Sequence, residues 1–134
     1  MNGASVRVYS KAKDGNKALS TNFKVYEFAC SDGSDPVFIS PDLVKILQSI
    51  RSHFGQPVTI TSGFRTASKN AETPNASEYS QHLYGLAADI KVAGVRPKEV
   101  AEYAEKLLVG KGGIGIYSTF THVDVRTIKS RWSG

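Results

Sequence analysis

The sequence predicts one domain of mixed helix and strand, on three observations. Residues 41–54 and 97–108 repeat apolar side chains at helical spacing. Short apolar stretches at residues 57–61, 86–92, 114–117 and 121–126 have the length and composition of strands. The chain has 134 residues, enough for one modest core. No repeat, low-complexity segment or second domain is visible, so residues 1–134 read as one unit.

The elements follow in order. Residues 4–9 alternate like a short edge strand, and residues 1–19 read as that strand and a turn at Asp14-Gly15-Asn16. Phe23 to Phe28 is a short amphipathic piece, preceded by candidate caps from Ser20 to Asn22. Residues 31–36 form a turn cluster ending in Pro36. The helix over 41–54 has Ser40 as N-cap, Pro41 at its first position and Asp42 at its positive end. Leu43, Val44, Leu47, Ile50 and Phe54 face the core, Gly55 ends the helix and Pro57 follows. His53, in the last turn, complements the helix dipole and reads as structural or solvated. The strand over 57–61 delivers Ser62-Gly63-Phe64-Arg65 into residues 66–79, a polar, irregular stretch whose length marks a functional loop. After the strand over 86–92, the helix over 97–108 buries Val100, Ala101, Ala104, Leu107 and Leu108. Gly110 to Gly113 breaks it, two tightly connected strands follow, and the tail is Arg131-Trp132-Ser133-Gly134.

Charge and composition narrow the partners. A net charge of +5 favours anionic partners, either nucleic acid or an anionic wall polymer. The lysines and arginines are scattered, without a run of three and without interleaved aromatics, so nucleic acid is not expected. No apolar run approaches the roughly 18 residues of a membrane-spanning helix. Met1 to Ser20 holds no apolar core of a signal peptide, so no secretory signal is expected in this chain. Cys30 is the sole cysteine, which excludes an internal disulfide and a multi-cysteine zinc site. It reads as a buried structural thiol.

The chemistry concentrates in Ser80 to Asp89. His82 stands seven residues ahead of Asp89, and Asp89 opens the strand Ile90-Lys91-Val92. A carboxylate at the mouth of an apolar strand suits a metal ion. Downstream, His122, Asp124 and Arg126 share one face of a strand. His82, Asp89 and His122 would make a two-histidine, one-carboxylate set with one position left for water. On spacing alone, other readings stay open: a loop histidine, a capping carboxylate, and a half-exposed strand with a cross-strand charge pair.

Ser62-Gly63-Phe64-Arg65, Ser80-x-His82-x-x-Gly85-x-Ala87-x-Asp89 and Gly112-Gly113-x-Gly115-x-Tyr117…His122-x-Asp124 occur in this order. Together they resemble the D-Ala-D-Ala carboxypeptidase family of zinc metallopeptidases, a group that includes phage endolysin peptidases and shares its fold with the Hedgehog signalling domain. The resemblance covers residues 20–132. It implies an α+β fold, a small antiparallel sheet flanked by helices. It implies one zinc ion held by His82, Asp89 and His122. It implies hydrolysis of peptide bonds in peptidoglycan stem peptides, as a DD-carboxypeptidase or an endolysin-type endopeptidase. It further implies a monomer acting on the cell wall, made in the cytoplasm and released as a prophage lysin.

The resemblance also assigns roles. Arg65 stabilises the growing oxyanion or clamps a substrate carboxylate. Ser80 braces the His82 loop and contacts substrate, Gly63 and Gly85 serve backbone geometry, and Tyr84, Tyr117 and Trp132 either line the cleft or, as is commoner for aromatics, pack in the core. One position departs from the pattern. Many relatives carry an acidic base three residues before the last ligand, or a histidine two before it; here these are Thr119 and Phe120. Asp124 is therefore assigned as the base, because residues i and i+2 of a strand project together about 6 to 7 Å apart. The alternative is that Asp124 orients a ligand imidazole. Two further function classes follow: a zinc-stabilised cell-wall-binding module without catalysis, favoured by Thr119, and a basic nucleic-acid-binding domain, which predicts steeply salt-dependent binding to arbitrary DNA.

Overall fold

The computed structural model describes residues 5–74, 76–77 and 80–134. β1 (Arg7–Ser10) leads into α1 (Lys11–Asp14), and a 3-10 turn over Val25–Phe28 precedes β2 (Pro36–Ile39). α2 (Pro41–Phe54), β3 (Val58–Ser62) and α3 (Ala67–Glu72) follow. A second 3-10 turn, Gln81–Tyr84, feeds β4 (Ala87–Val92), then α4 (Pro97–Leu108), β5 (Gly113–Ile116), β6 (Thr121–Asp124) and β7 (Ser130–Ser133).

β1 and β2 pair antiparallel as a small separate sheet. The main sheet runs β3-β4-β6-β5-β7. Its first four strands pair antiparallel, as expected for this α+β fold, while β7 joins the β5 edge in parallel. α2 and α4 pack together and cover one face of it. Leu43, Leu47 and Ile50 from α2 meet Val100, Ala101 and Ala104 from α4 over Ile90 and Val123 of the sheet.

Both long helices have the predicted bounds, because their ends are marked chemically. Ser40 Oγ accepts from the Asp42 N–H at 3.2 Å, Pro41 opens α2, and Gly55 closes it in the left-handed region at φ 62°. Pro97 opens α4, and Glu99 reaches back to the Arg96 N–H. The residue 4–9 expectation becomes β1, whose first predicted residue lies outside the described ones.

Four segments differ from the sequence reading. Within the irregular stretch predicted over 66–79, Ala67–Glu72 is helical, capped by the Thr66 hydroxyl accepting from the Lys69 N–H at 3.1 Å. This helix has no apolar stripe to read, since its buried residue is the polar Asn70. Lys11–Asp14, read as polar chain entering a turn, is a single helical turn capped by Ser10. Pro36, read as the end of a turn over 31–36, instead opens a strand through Ile39, which pairs with β1 because Val37 and Ile39 face the core. The tail forms β7, placed by pairing with a strand some seventeen positions earlier in register, Gly113 against Ser130.

Candidate metal centre

Three segments meet at one end of the main sheet. β4 and β6 are neighbours, and their register sets Asp89 opposite His122 and Ala87 opposite Asp124. Along β6 the alternation is clean: Thr121 and Val123 face α4, where the Thr121 hydroxyl donates to the Pro97 carbonyl at 3.0 Å, and His122 and Asp124 face the site. The third segment is the 3-10 turn. Ser80 caps it by accepting from the His82 N–H at 3.2 Å, which is the bracing expected of Ser80. Gly85 ends the turn at φ 73°, where any Cβ would overlap the Phe38 carbonyl.

His82, Asp89 and His122 are buried, and one donor atom from each lies within 4.8 Å of the others. Asp89 Oδ1 stands 3.3 Å from His82 Nε2 and 3.0 Å from His122 Nδ1. Donors about 2.1 Å from one tetrahedral ion lie roughly 3.4 Å apart, close to the two separations between Asp89 and the imidazoles. The remaining ring nitrogens are also engaged. His82 Nδ1 donates to the Gly63 carbonyl at 2.7 Å, and His122 Nε2 donates to Asp124 Oδ2 at 2.7 Å. Each bond fixes a tautomer that leaves the facing nitrogen's lone pair aimed at the corner. The residues therefore fit a metal ion, and two imidazoles with a carboxylate suit zinc among the common ones.

The electrostatics agree. Burial pushes the Asp89 carboxyl up, but hydrogen bonds and charge from His122 and His82 outweigh it and hold its pKa well below the usual range. Burial likewise opposes the His122 cation, yet Asp124 and Asp89 together raise its pKa. The corner therefore attracts positive charge, and an ion competes there with protons.

Asp124 is fully buried. Its Oδ2 accepts from His122 Nε2 and from Arg126 Nη2 at 2.7 Å; its Oδ1 accepts from Arg126 Nε at 2.8 Å and from the Arg126 N–H at 3.1 Å. Burial raises its pKa, and the His122 and Arg126 hydrogen bonds more than reverse that. Thr119 sits in the turn between β5 and β6 and lines a separate cavity with Pro57, Thr59 and Lys91.

The other predicted residues divide. Arg65 flanks the corner, with Nη2 3.4 Å from Asp89 Oδ2. Tyr84 closes the histidine-bearing turn and is about half exposed. Tyr117 stacks on Phe120 at 4.3 Å and accepts from Trp132 Nε1 at 2.8 Å, while the Trp132 ring lies 4.9 Å from His122. Tyr117 thus reaches the centre through Trp132. Cys30 is buried, as expected, and His53 stacks on Tyr103 at 3.8 Å, away from the triad.

Sequence reasoning gave Arg126 no role and said nothing of Asn70. The i, i+2 pair of opposite charges, Asp124-x-Arg126, was a usable signal for the first. The glycines of β5 acquire a reason: Gly113 pairs with Asp124 and Gly115 with His122, and a Cβ at either would overlap Asp124 or Trp132. Gly113→Ala is expected to lower stability by about 3 kcal/mol through overpacking and to weaken metal binding, measured by chemical denaturation and metal titration. Unchanged values in both would show that Asp124 can yield.

The family model for Peptidase M15 matches residues 20–124. The "Probable peptidoglycan L,D-endopeptidase MepK" of Haemophilus influenzae is 31% identical over 105 residues, covering 72% of this chain. The match covers 55% of that protein, so the chain spans about half the length of the curated relative it matches. The matched span contains every residue of the buried triad together with Arg65 and Asp124, and on it the chain belongs to the Peptidase M15 family.

Proposed function

We propose that the protein is a zinc-dependent peptidase that hydrolyses peptide bonds in the stem peptides of peptidoglycan. The carrying observation is the convergence of His82 Nε2, Asp89 Oδ1 and His122 Nδ1, with each imidazole held by a partner on its far side. The name of the curated relative supports an endopeptidase over a carboxypeptidase. The net charge of +5 supports approach to an anionic wall.

His82, Asp89 and His122 would hold the ion, which supplies Lewis acidity and a nucleophilic water at neutral pH. The Gly63 carbonyl and Asp124 keep the two imidazoles in their metal-binding tautomers. Arg65 presents its guanidinium to the scissile carbonyl oxygen, where negative charge grows, or to a substrate carboxylate. Of the two roles open to Asp124, its geometry supports orienting His122, because a buried carboxylate already accepting four hydrogen bonds has no lone pair turned to water.

A second reading is a metal-stabilised wall-binding module. It is favoured by one observation: among the described residues, no carboxylate besides Asp89 and Asp124 contacts the triad. Metal removal separates the two. Protein loaded with one equivalent of zinc is expected to release stem fragments from purified peptidoglycan, to lose that release with chelator and to regain it on adding zinc. Wall binding without release would favour the module, and neither metal uptake nor release would remove both readings.

A further inference from the structure

α3 lies at the surface, yet Asn70 within it is only 5% exposed. Its side-chain oxygen accepts from Arg65 Nη1 at 3.3 Å, and its amide nitrogen donates to the Ser77 carbonyl at 2.8 Å. The chemistry sets the orientation of the amide, since only oxygen can accept from a guanidinium and only nitrogen can donate to a carbonyl. Arg65 is held on two other sides. Its Nε donates to Ser62 Oγ at 3.1 Å, and its Nη2 donates to Asp89 Oδ2 at 3.4 Å. Its backbone N–H donates to the His82 carbonyl at 3.1 Å.

The three side-chain bonds do different things. Ser62 stands at the end of β3, where the register shift between Ile60 and Ser62 sets it opposite Asp89. Asp89 belongs to the metal corner. Asn70 comes from outside both, and it alone of the three reaches the far terminal nitrogen of the fork. A guanidinium has five N–H groups in one plane. Three bonds on three different nitrogens fix that plane and leave one N–H on each terminal nitrogen for a substrate oxygen. With Nη1 released, a long side chain regains rotamer freedom and presents those two groups less often in one geometry.

We infer that Asn70 is a positioning residue. It sets the plane of the Arg65 guanidinium beside the metal corner, and through the Ser77 carbonyl, which also accepts from the Ser80 N–H at 3.1 Å, it ties that plane to the residue that caps the His82 turn. The kinetic consequence rests on the proposed peptidase activity; the orientation of Arg65 does not.

The test uses the full, zinc-loaded chain and two readouts. The first is hydrogen exchange of the Arg65 Nε–H, followed by nitrogen-15 NMR and assigned by its loss in Arg65→Lys. Asn70→Ala is expected to speed that exchange about tenfold, and Asn70→Leu, which keeps most of the volume but offers Nη1 no acceptor, is expected to do the same. The second is release of stem fragments. Asn70→Ala is expected to lower kcat/KM about tenfold and Arg65→Ala about a hundredfold, at unchanged zinc content. The double variant should fall within about twofold of Arg65→Ala alone, because Asn70 has nothing left to position. Unchanged Arg65 exchange in Asn70→Ala, or additive losses in the double variant, would overturn the inference. If the wild-type protein releases nothing, the peptidase reading falls and the exchange measurement decides this one by itself. If Asn70→Ala does not fold, Asn70→Leu decides it: unchanged Arg65 exchange in that variant overturns the inference.

Discussion

Asp89→Ala is expected to abolish zinc uptake and to lower peptide release by at least about three orders of magnitude. The expectation follows from the central place of this carboxylate. Its Oδ1 faces both imidazole donors, at 3.3 and 3.0 Å, and its Oδ2 faces Arg65 at 3.4 Å. Alanine leaves two neutral nitrogen donors and a nearby cation, a set that repels a divalent ion where the native set attracts one. Asp89→Asn keeps the shape but not the charge, and is expected to fall between alanine and the native protein in zinc affinity. Zinc per chain by elemental analysis, alongside fragment release, checks both variants. A fully zinc-loaded, fully active Asp89→Ala protein would mean that the corner is not the metal site.

The second large effect is expected at Asp124, and there the form of the loss matters more than its size. Asp124→Asn cannot satisfy both of its neighbours. If the amide oxygen turns to Arg126, the amide NH2 meets His122 Nε2 and forces the proton onto Nδ1, removing the lone pair that would bind metal. If the oxygen turns to His122, the NH2 faces a guanidinium. Either way zinc affinity should fall about 10- to 100-fold, with stability lower by roughly 2 kcal/mol because Arg126, 28% exposed, can rehydrate in part. Activity should then return substantially at saturating zinc. A general base would behave otherwise: zinc affinity would be kept, and turnover would stay lost at any zinc concentration. Titrating zinc while measuring release distinguishes the two roles of Asp124 directly.

Much of this centre was legible because its residues sit in ordered motifs whose chemistry is narrow. The two long helices were legible for a different reason: each has an apolar stripe, a proline at its first turn and a marked end. What stayed hidden had a physical cause in each case. α3 has no apolar face, so nothing in its sequence period separates it from a loop. β2 and β7 are four residues long, and their pairing is decided by partners far along the chain. The adjacency of β4 and β6, which brings Asp89 opposite His122, is a fact of topology that no local pattern contains. The surroundings of Asp124 depend on where Arg126 folds after β6 ends, and strand spacing alone could not separate a carboxylate facing water from one enclosed by an arginine.

The strict alternation of β6 has a consequence for how the chain finds its native pairing. Thr121 and Val123 lie under α4 while His122 and Asp124 face away from it. Were β6 to slip by one residue against β4, the imidazole and the carboxylate would be pressed into the oily layer between sheet and helix, without Asp89, Arg126 or water to receive them. The short, weakly adhesive strands at this end of the sheet would otherwise tolerate such an error cheaply. The reactive side chains thus act as a proofreading device for strand alignment, and a variant with both replaced by apolar residues should fold into a mixture of registers even if its melting temperature rises.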